Sequence, residues 1–248
     1  MPKAKEAALK ALLLGDDLAE AHTSLGNIFS TYYYDFVGAE REFQRAIELN
    51  PQYARAHHGY GLLLTRLGRQ EESYAQFRRG LEIEPLSSFI NKNYGESLFF
   101  ARRYEESVAQ FKKTLELDAN FAPAHDALGF AYHMLGRYAE SVELFAKYEE
   151  FRNQPQNALL MRESFAKDGW QGFMRMMSGE HRPASVSSYL VAVYSVGLGE
   201  KDQAIAALND GYEKRNYRFV YIKVDPRLDP LRDDPRFQEL SRKVGFPQ

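Results

Sequence analysis

The stretch YAQFRRGLEIEP (74–85) and its copy VAQFKKTLELDA (108–119) decide how this chain is read. Each is an amphipathic run built around one phenylalanine, Phe77 or Phe111. The same register returns at Phe43 and Phe145, each 34 residues from the next. Glycines keep the same beat at Gly61, Gly95 and Gly129, with Gly26 one residue out of step. Self-similarity at this period marks a supersecondary unit that is copied and stacked. One helix pair cannot bury its apolar face alone, so its neighbours complete the core.

Aligned on the glycines, the copies read LGNIF (25–29), YGLLL (60–64), YGESL (94–98) and LGFAY (128–132). A turn follows in LGRQEES (67–73), ARRYEES (101–107) and LGRYAES (135–141), and then the run with the phenylalanine. Each copy therefore predicts helix, tight turn, helix and a short break. Gly68 and Gly136 suit the left-handed position that ends a helix. Arg102 stands there in the third copy, so its turn is expected to be strained or differently shaped. Pro51 and Pro85 close two units, because proline cannot continue a helix; Ala119 occupies the third such place. In the first copy STYYYDFV (30–37) carries one extra residue, which predicts an aromatic bulge.

Over 19–152 these features together resemble the tetratricopeptide repeat. The small first-helix residue, the glycine turn, the small residue opening the second helix (Ala39, Ser73, Ser107, Ser141), the phenylalanine and the terminal proline all match. The resemblance implies an all-α fold, a right-handed superhelix of antiparallel helix pairs forming an α-solenoid. Residues 1–152 would hold a half repeat and four repeats. The half repeat is AALKALLLGD (7–16), which overlays EFQRAIELNP (42–51) as a second helix without its first. It reads either as the start of a fragment cut from a longer protein or as a solitary capping helix.

The resemblance also implies that the first helix of each pair lines a concave groove. The groove-facing positions are then Asn27 in the first copy, Arg55, His58 and Arg66 in the second, Lys92, Glu96 and Phe100 in the third, and Asp126, Phe130 and His133 in the fourth. This lining is basic and polar in the second copy and aromatic in the third and fourth. It suits an extended or helical peptide with an acidic part and an apolar anchor. Some such arrays clamp acidic chaperone tails with a Lys/Asn/Asn/Lys/Arg set. Here Asn27 matches one member, but Thr23, Gly59, Phe89 and Asn93 occupy the other places, so that use is rejected.

The rhythm breaks after 152. Residues 153–181 read as a degenerate helix pair, NALLMRESFAKDG (157–169) and WQGFMRMMSGEH (170–181), with Trp170 as a packing anchor. Residues 182–215 hold a further repeat-like unit, in which Gly199, Ala204 and Leu208 overlay Gly136, Ser141 and Phe145. Residues 216–248 form a capping segment in which Asp234 and Pro235 open a final helix that Gly245 ends. This order of parts, and the motif LDPLRDDPRF (228–237) above all, resembles the C-terminal tetratricopeptide regions of bacterial signalling proteins such as winged-helix regulators and serine/threonine kinases. No kinase, cyclase or DNA-binding motif accompanies it.

The 248 residues carry a net charge of −2, which argues against a broad nucleic-acid footprint. The absence of cysteine excludes disulfides and thiolate zinc sites. No apolar run is long enough for a membrane span, and a cytoplasmic setting is expected. His22, His57 and His125 each precede the repeat glycine by four residues, which marks a packing position, and no HExxH pair occurs. Asp225, Asp229, Asp233 and Asp234 alternate with Arg227, Arg232 and Arg236, so capping and ion pairing are expected there in place of a cation site. No catalytic constellation, metal site or cofactor site emerges. The expected function is a non-enzymatic protein- or peptide-binding scaffold, a piece of a larger bacterial regulatory protein. The alternatives are a small-molecule-sensing domain enclosed between array and C-terminal part, or a self-association module that forms homo-oligomers.

Overall fold

A computed structural model describes residues 6–10 and 17–247, which form helices and turns with no strand among them. Of the half repeat expected over 7–16, residues 7–10 are helical and 11–16 lie outside the described residues. Four antiparallel pairs follow. They are α1 (Ala19–Ile28) with α2 (Phe36–Leu49), α3 (Ala54–Leu67) with α4 (Gln70–Ile83), α5 (Ser88–Phe100) with α6 (Tyr104–Leu117), and α7 (Ala122–Met134) with α8 (Tyr138–Phe151).

The repeated residues explain the repeated geometry. Phe43, Phe77, Phe111 and Phe145 are sealed from solvent. Each lies against the glycine of its own first helix. A Cβ on Gly95 would meet the Phe111 ring at 2.6 Å, and one on Gly129 would meet Phe145 at 2.7 Å, so only glycine permits this approach. Burying each ring stabilises by roughly 1.5–3 kcal/mol. The small residue opening the second helix is a clasp: Ser73, Ser107 and Ser141 donate to the carbonyls of Gly61, Gly95 and Gly129 at 2.8–2.9 Å. The histidine position ties each pair to the break before it. His57 and His125 reach the carbonyls of Pro51 and Ala119 at 3.0 Å, and Asn91 does the same for Pro85 at 3.3 Å.

The turns keep one shape. Gly68 and Gly136 are left-handed, with φ of 80° and 73°. Arg102 adopts the same conformation, φ 63°, and its turn makes the same bonds: Arg103 N–H donates to Leu98 as Arg69 N–H does to Leu64. The expected change of shape is absent; the strain of a left-handed L-residue, about 1–2 kcal/mol, is borne in place. In the first copy the extra residue is absorbed by a π turn over Phe29–Tyr33, after which Tyr34 is left-handed (φ 55°) and Asp35 caps α2 through Gly38 N–H at 2.8 Å.

Beyond 152 come α9 (Pro155–Ser178), α10 (Ser188–Gly197) and α11 (Lys201–Glu213). The first is broken at Asp168 and at Gly169, whose φ is 62°. Trp170, just after the break, stacks on Tyr138 and Phe173 at 4.8 and 4.9 Å. Two 3-10 turns, Tyr217–Tyr221 and Pro226–Leu231, lead to α12 (Pro235–Val244). Asp234 accepts from Arg236 N–H at the start of α12, and Gly245 (φ 74°) ends it.

The chain then closes on itself. Phe246 stacks on Phe36 at 4.8 Å, and the Arg215 guanidinium donates to the Tyr32 carbonyl. One buried cluster joins Phe36, Phe43 and Leu63 of the first repeats to Tyr189, Leu208, Phe219 and Leu231.

Candidate peptide groove

The inner wall divides into a filled part and an open part. The segment from Tyr217 to Leu231 fills the first. Its Tyr221 ring stacks on Phe100 at 4.6 Å, and the Arg66 guanidinium lies 5.4 Å from the same Tyr221 ring. Arg227 lies 4.3 Å from the Phe130 ring and 5.5 Å from Phe99. Arg218 pairs with Asp126 at 3.4 Å. Arg102, at a turn, holds Asp229 at 2.6 Å.

An ion pair anchors this segment. Asp225 is fully buried and caps the second 3-10 turn through Arg227 N–H at 3.0 Å. It also accepts from the Arg227 guanidinium at 2.9 and 2.7 Å and from the Tyr189 hydroxyl at 2.8 Å. Burial pushes the Asp225 carboxyl up, but the Arg227 charge and these bonds outweigh it and hold the group below the usual carboxylate range. With all its lone pairs engaged, the pair escapes the usual penalty of buried charge.

Arg66, Phe100 and Phe130, expected to face a partner, are therefore buried under the chain's own tail. Asp126 is engaged by Arg218. His133 lies against Trp170 at 4.7 Å, and its pKa falls to about 4 because burial and then the Arg227 charge disfavour the cation. The physical reason for the correction is that this wall is aromatic, and the apolar tail covers it more fully than water does. The tail itself could not be placed from sequence. Its signal was present, however: Phe219, Ile222, Leu228 and Leu231 are apolar residues set among Asp and Pro in a stretch too short for regular helix.

The open part lies over α1, α3 and the start of α5. A cavity of about 360 Å³ is lined there by Thr23, Asn27, Arg55, His58, Leu62 and Phe89, among others. Arg55 is exposed and forms no ion pair with any described residue. Phe89 is 63% exposed, its ring edge-on to Phe121 at 4.9 Å. His58 Nε2 accepts from Asn93 Nδ2 at 2.6 Å. Its pKa is lowered to about 4, by burial first and then by the cations Lys92 and Arg66, so it is neutral and serves as an acceptor. Lys92 and Glu96 neutralise each other at 2.6 Å at the boundary between the two parts. The structure thus gathers Asn27, Arg55 and His58 around open space and withdraws Arg66, Phe100, Asp126 and Phe130 from it.

Asp225, Asp229 and Asp234 are caps or ion-pair partners, and no group of side chains among the described residues is arranged to hold a metal ion. No helix of the described residues is long and apolar enough to cross a membrane.

A family model described as the tetratricopeptide repeat matches residues 35–88 and 95–158. Among solved structures, Pseudomonas aeruginosa pilF is similar, with 18% identity and a TM-score of 0.54 over 92% of this chain and 98% of that one. The MamA RS-1 ArsTM double mutant shares 16% identity at a TM-score of 0.50, over 61% of this chain and 85% of that one. YrrB, a TPR protein with an unusual peptide-binding site, shares 17% identity at a TM-score of 0.49, over 96% and 100% of the two chains. No curated protein sequence matches. At these identities the likeness concerns fold alone. Residues 35–88 and 95–158 match tetratricopeptide repeats, and the fold of the described residues is an all-α solenoid of tetratricopeptide type whose own tail fills part of its groove.

Proposed function

We propose that this chain is a non-enzymatic scaffold that binds a peptide segment in the open, N-terminal part of its groove. The observation that carries this reading is the conjunction of an exposed, unpaired Arg55 with an exposed Phe89 around one cavity of about 360 Å³. Arginine and aromatic side chains are the types enriched at binding hot spots. The complementary segment carries an acidic residue for Arg55 and an apolar residue that covers Phe89 and Leu62. The walls are rigid helix pairs, so little ordering entropy is lost on association. The tail motif 228–237 supports the further reading that the scaffold serves a larger bacterial regulatory protein in the cytoplasm.

Selection of a displayed random peptide library on the whole chain tests the groove. Enriched sequences should pair Asp or Glu with a large apolar residue, and Arg55→Glu should weaken them at least about tenfold with no change in Tm. Peptides that bind Arg55→Glu and Phe89→Ala as well as the unmutated chain would remove this assignment.

A further inference from the structure

A second, smaller cavity of about 90 Å³ lies where the repeat array meets the C-terminal part. It is bounded by Asp126 of α7, Tyr148 of α8, Met161 and Met177 on either side of the break in α9, Leu190 of α10 and Arg218 of the first 3-10 turn. It is too small for a peptide segment and large enough for a small molecule. One side is apolar, through the methionines and Leu190; the other is charged.

The charged side is half-buried and has bonding capacity that the described residues do not use. The Arg218 guanidinium has five N–H donors, yet makes a single hydrogen bond to the described residues, 3.4 Å to Asp126. That is long for a charge-assisted bond, which runs about 2.7–2.9 Å. Arg227, in the same segment, makes two guanidinium bonds of 2.9 and 2.7 Å to Asp225. Asp126 accepts no other side-chain bond. Tyr194, only 1% exposed, also lines the cavity, and its hydroxyl bonds to no described residue. Glu149 is not available, because Asn157 and Arg152 already hold its carboxylate at 2.8 and 3.2 Å. The cavity thus offers one cation and one anion side by side, loosely joined, with neutral phenols and thioethers around them.

We propose that this cavity binds a small α-amino acid of glycine or alanine size. Its carboxylate takes two parallel N–H bonds from Arg218, a geometry that the planar guanidinium fork matches and an ammonium does not. Its ammonium sits on Asp126, on the side of the cavity that Tyr148 and Tyr217 line. A zwitterion adds no net charge to a half-buried neutral pair, whereas a simple carboxylate or amine would leave one charge uncompensated. The methionines and Leu190 bound the side chain and exclude larger residues. The site exists only in the folded-back chain, because the array supplies the anion and the tail supplies the cation.

Calorimetry and thermal unfolding of the whole chain with alanine, glycine, propionate and ethylamine test this. Alanine or glycine should bind and raise Tm at millimolar concentration. Propionate and ethylamine should bind at least about tenfold more weakly. Arg218→Lys, which keeps the charge and loses the fork, should weaken alanine by a similar factor, and Arg55→Glu in the open groove should leave it unchanged. Absence of heat and of a Tm shift with both amino acids overturns the proposal. Equal binding of propionate overturns it as well, and this comparison needs no variant to fold.

Discussion

Phe111 in the array and Phe219 in the tail are both sealed from solvent, by different means. Phe111 rests on Gly95, in the same helix pair, and copies of that contact recur at 34-residue steps. Phe219 also rests on a glycine, Gly211, but it is held edge-on by Tyr189 and Tyr212 at 5.5 and 5.9 Å, from two different helices, and it lies off the 34-residue beat. The array is a sum of near-identical local interfaces. The C-terminal part is a single non-local assembly, whose Arg215 reaches Tyr32 across 183 positions of sequence. The same difference divides the groove: regular helices leave it open over the first repeats, and the irregular tail fills the rest.

The strongest test of this contrast is at Asp225. Asp225→Ala leaves Arg227 buried without its partner, which should destabilise the whole chain by about 3–5 kcal/mol in urea unfolding. Because the tail shares one core with the first repeats, unfolding should remain a single transition. An array that keeps its unmutated stability while only the tail comes loose would show that the segment is a removable lid.

Acid provides the next test, since one perturbed histidine lies in each part. His58 and His133 have folded pKa values of about 4 against 6.5 for the free side chain. The unfolded chain therefore binds the proton first. Stability is full above pH 6.5 and falls as pH drops towards 4, by up to about 1.4 kcal/mol per pH unit for each histidine. Asp126, whose pKa burial raises despite Arg218, works in the opposite sense. His58→Gln keeps an acceptor for Asn93 and should flatten its share of the slope. An unchanged slope in that variant would mean that His58 is already solvated.

A smaller effect is expected inside the array. Gly95→Ala forces the Phe111 ring to shift and should cost about 1–3 kcal/mol, with the neighbouring repeats unaffected as measured by amide exchange. A neutral result would show that the ring–glycine contact has slack.

Much of this was legible in the sequence because its causes are local. The 34-residue beat of Phe and Gly gave the helix pairs, and Ser73, Ser107 and Ser141 recurred where hydroxyl clasps form. Asp234, Pro235 and Gly245 marked the ends of the last helix. The candidate site was only half legible. Arg55, His58 and Asn27 share open space, but Arg66, Phe100 and Phe130 carry the same positional signature and lie under the tail. Spacing states which face of a helix a residue occupies and is silent on what covers that face.

The sequence by itself determined the solenoid, because every helix, turn and glycine–phenylalanine seat depends on residues less than about one repeat apart. Only the tertiary structure decided which stretch of inner wall stays open, and where Arg218 meets Asp126. Those outcomes depend on a 3-10 segment packing against helices almost a hundred residues or more before it, and no periodic pattern encodes such a contact.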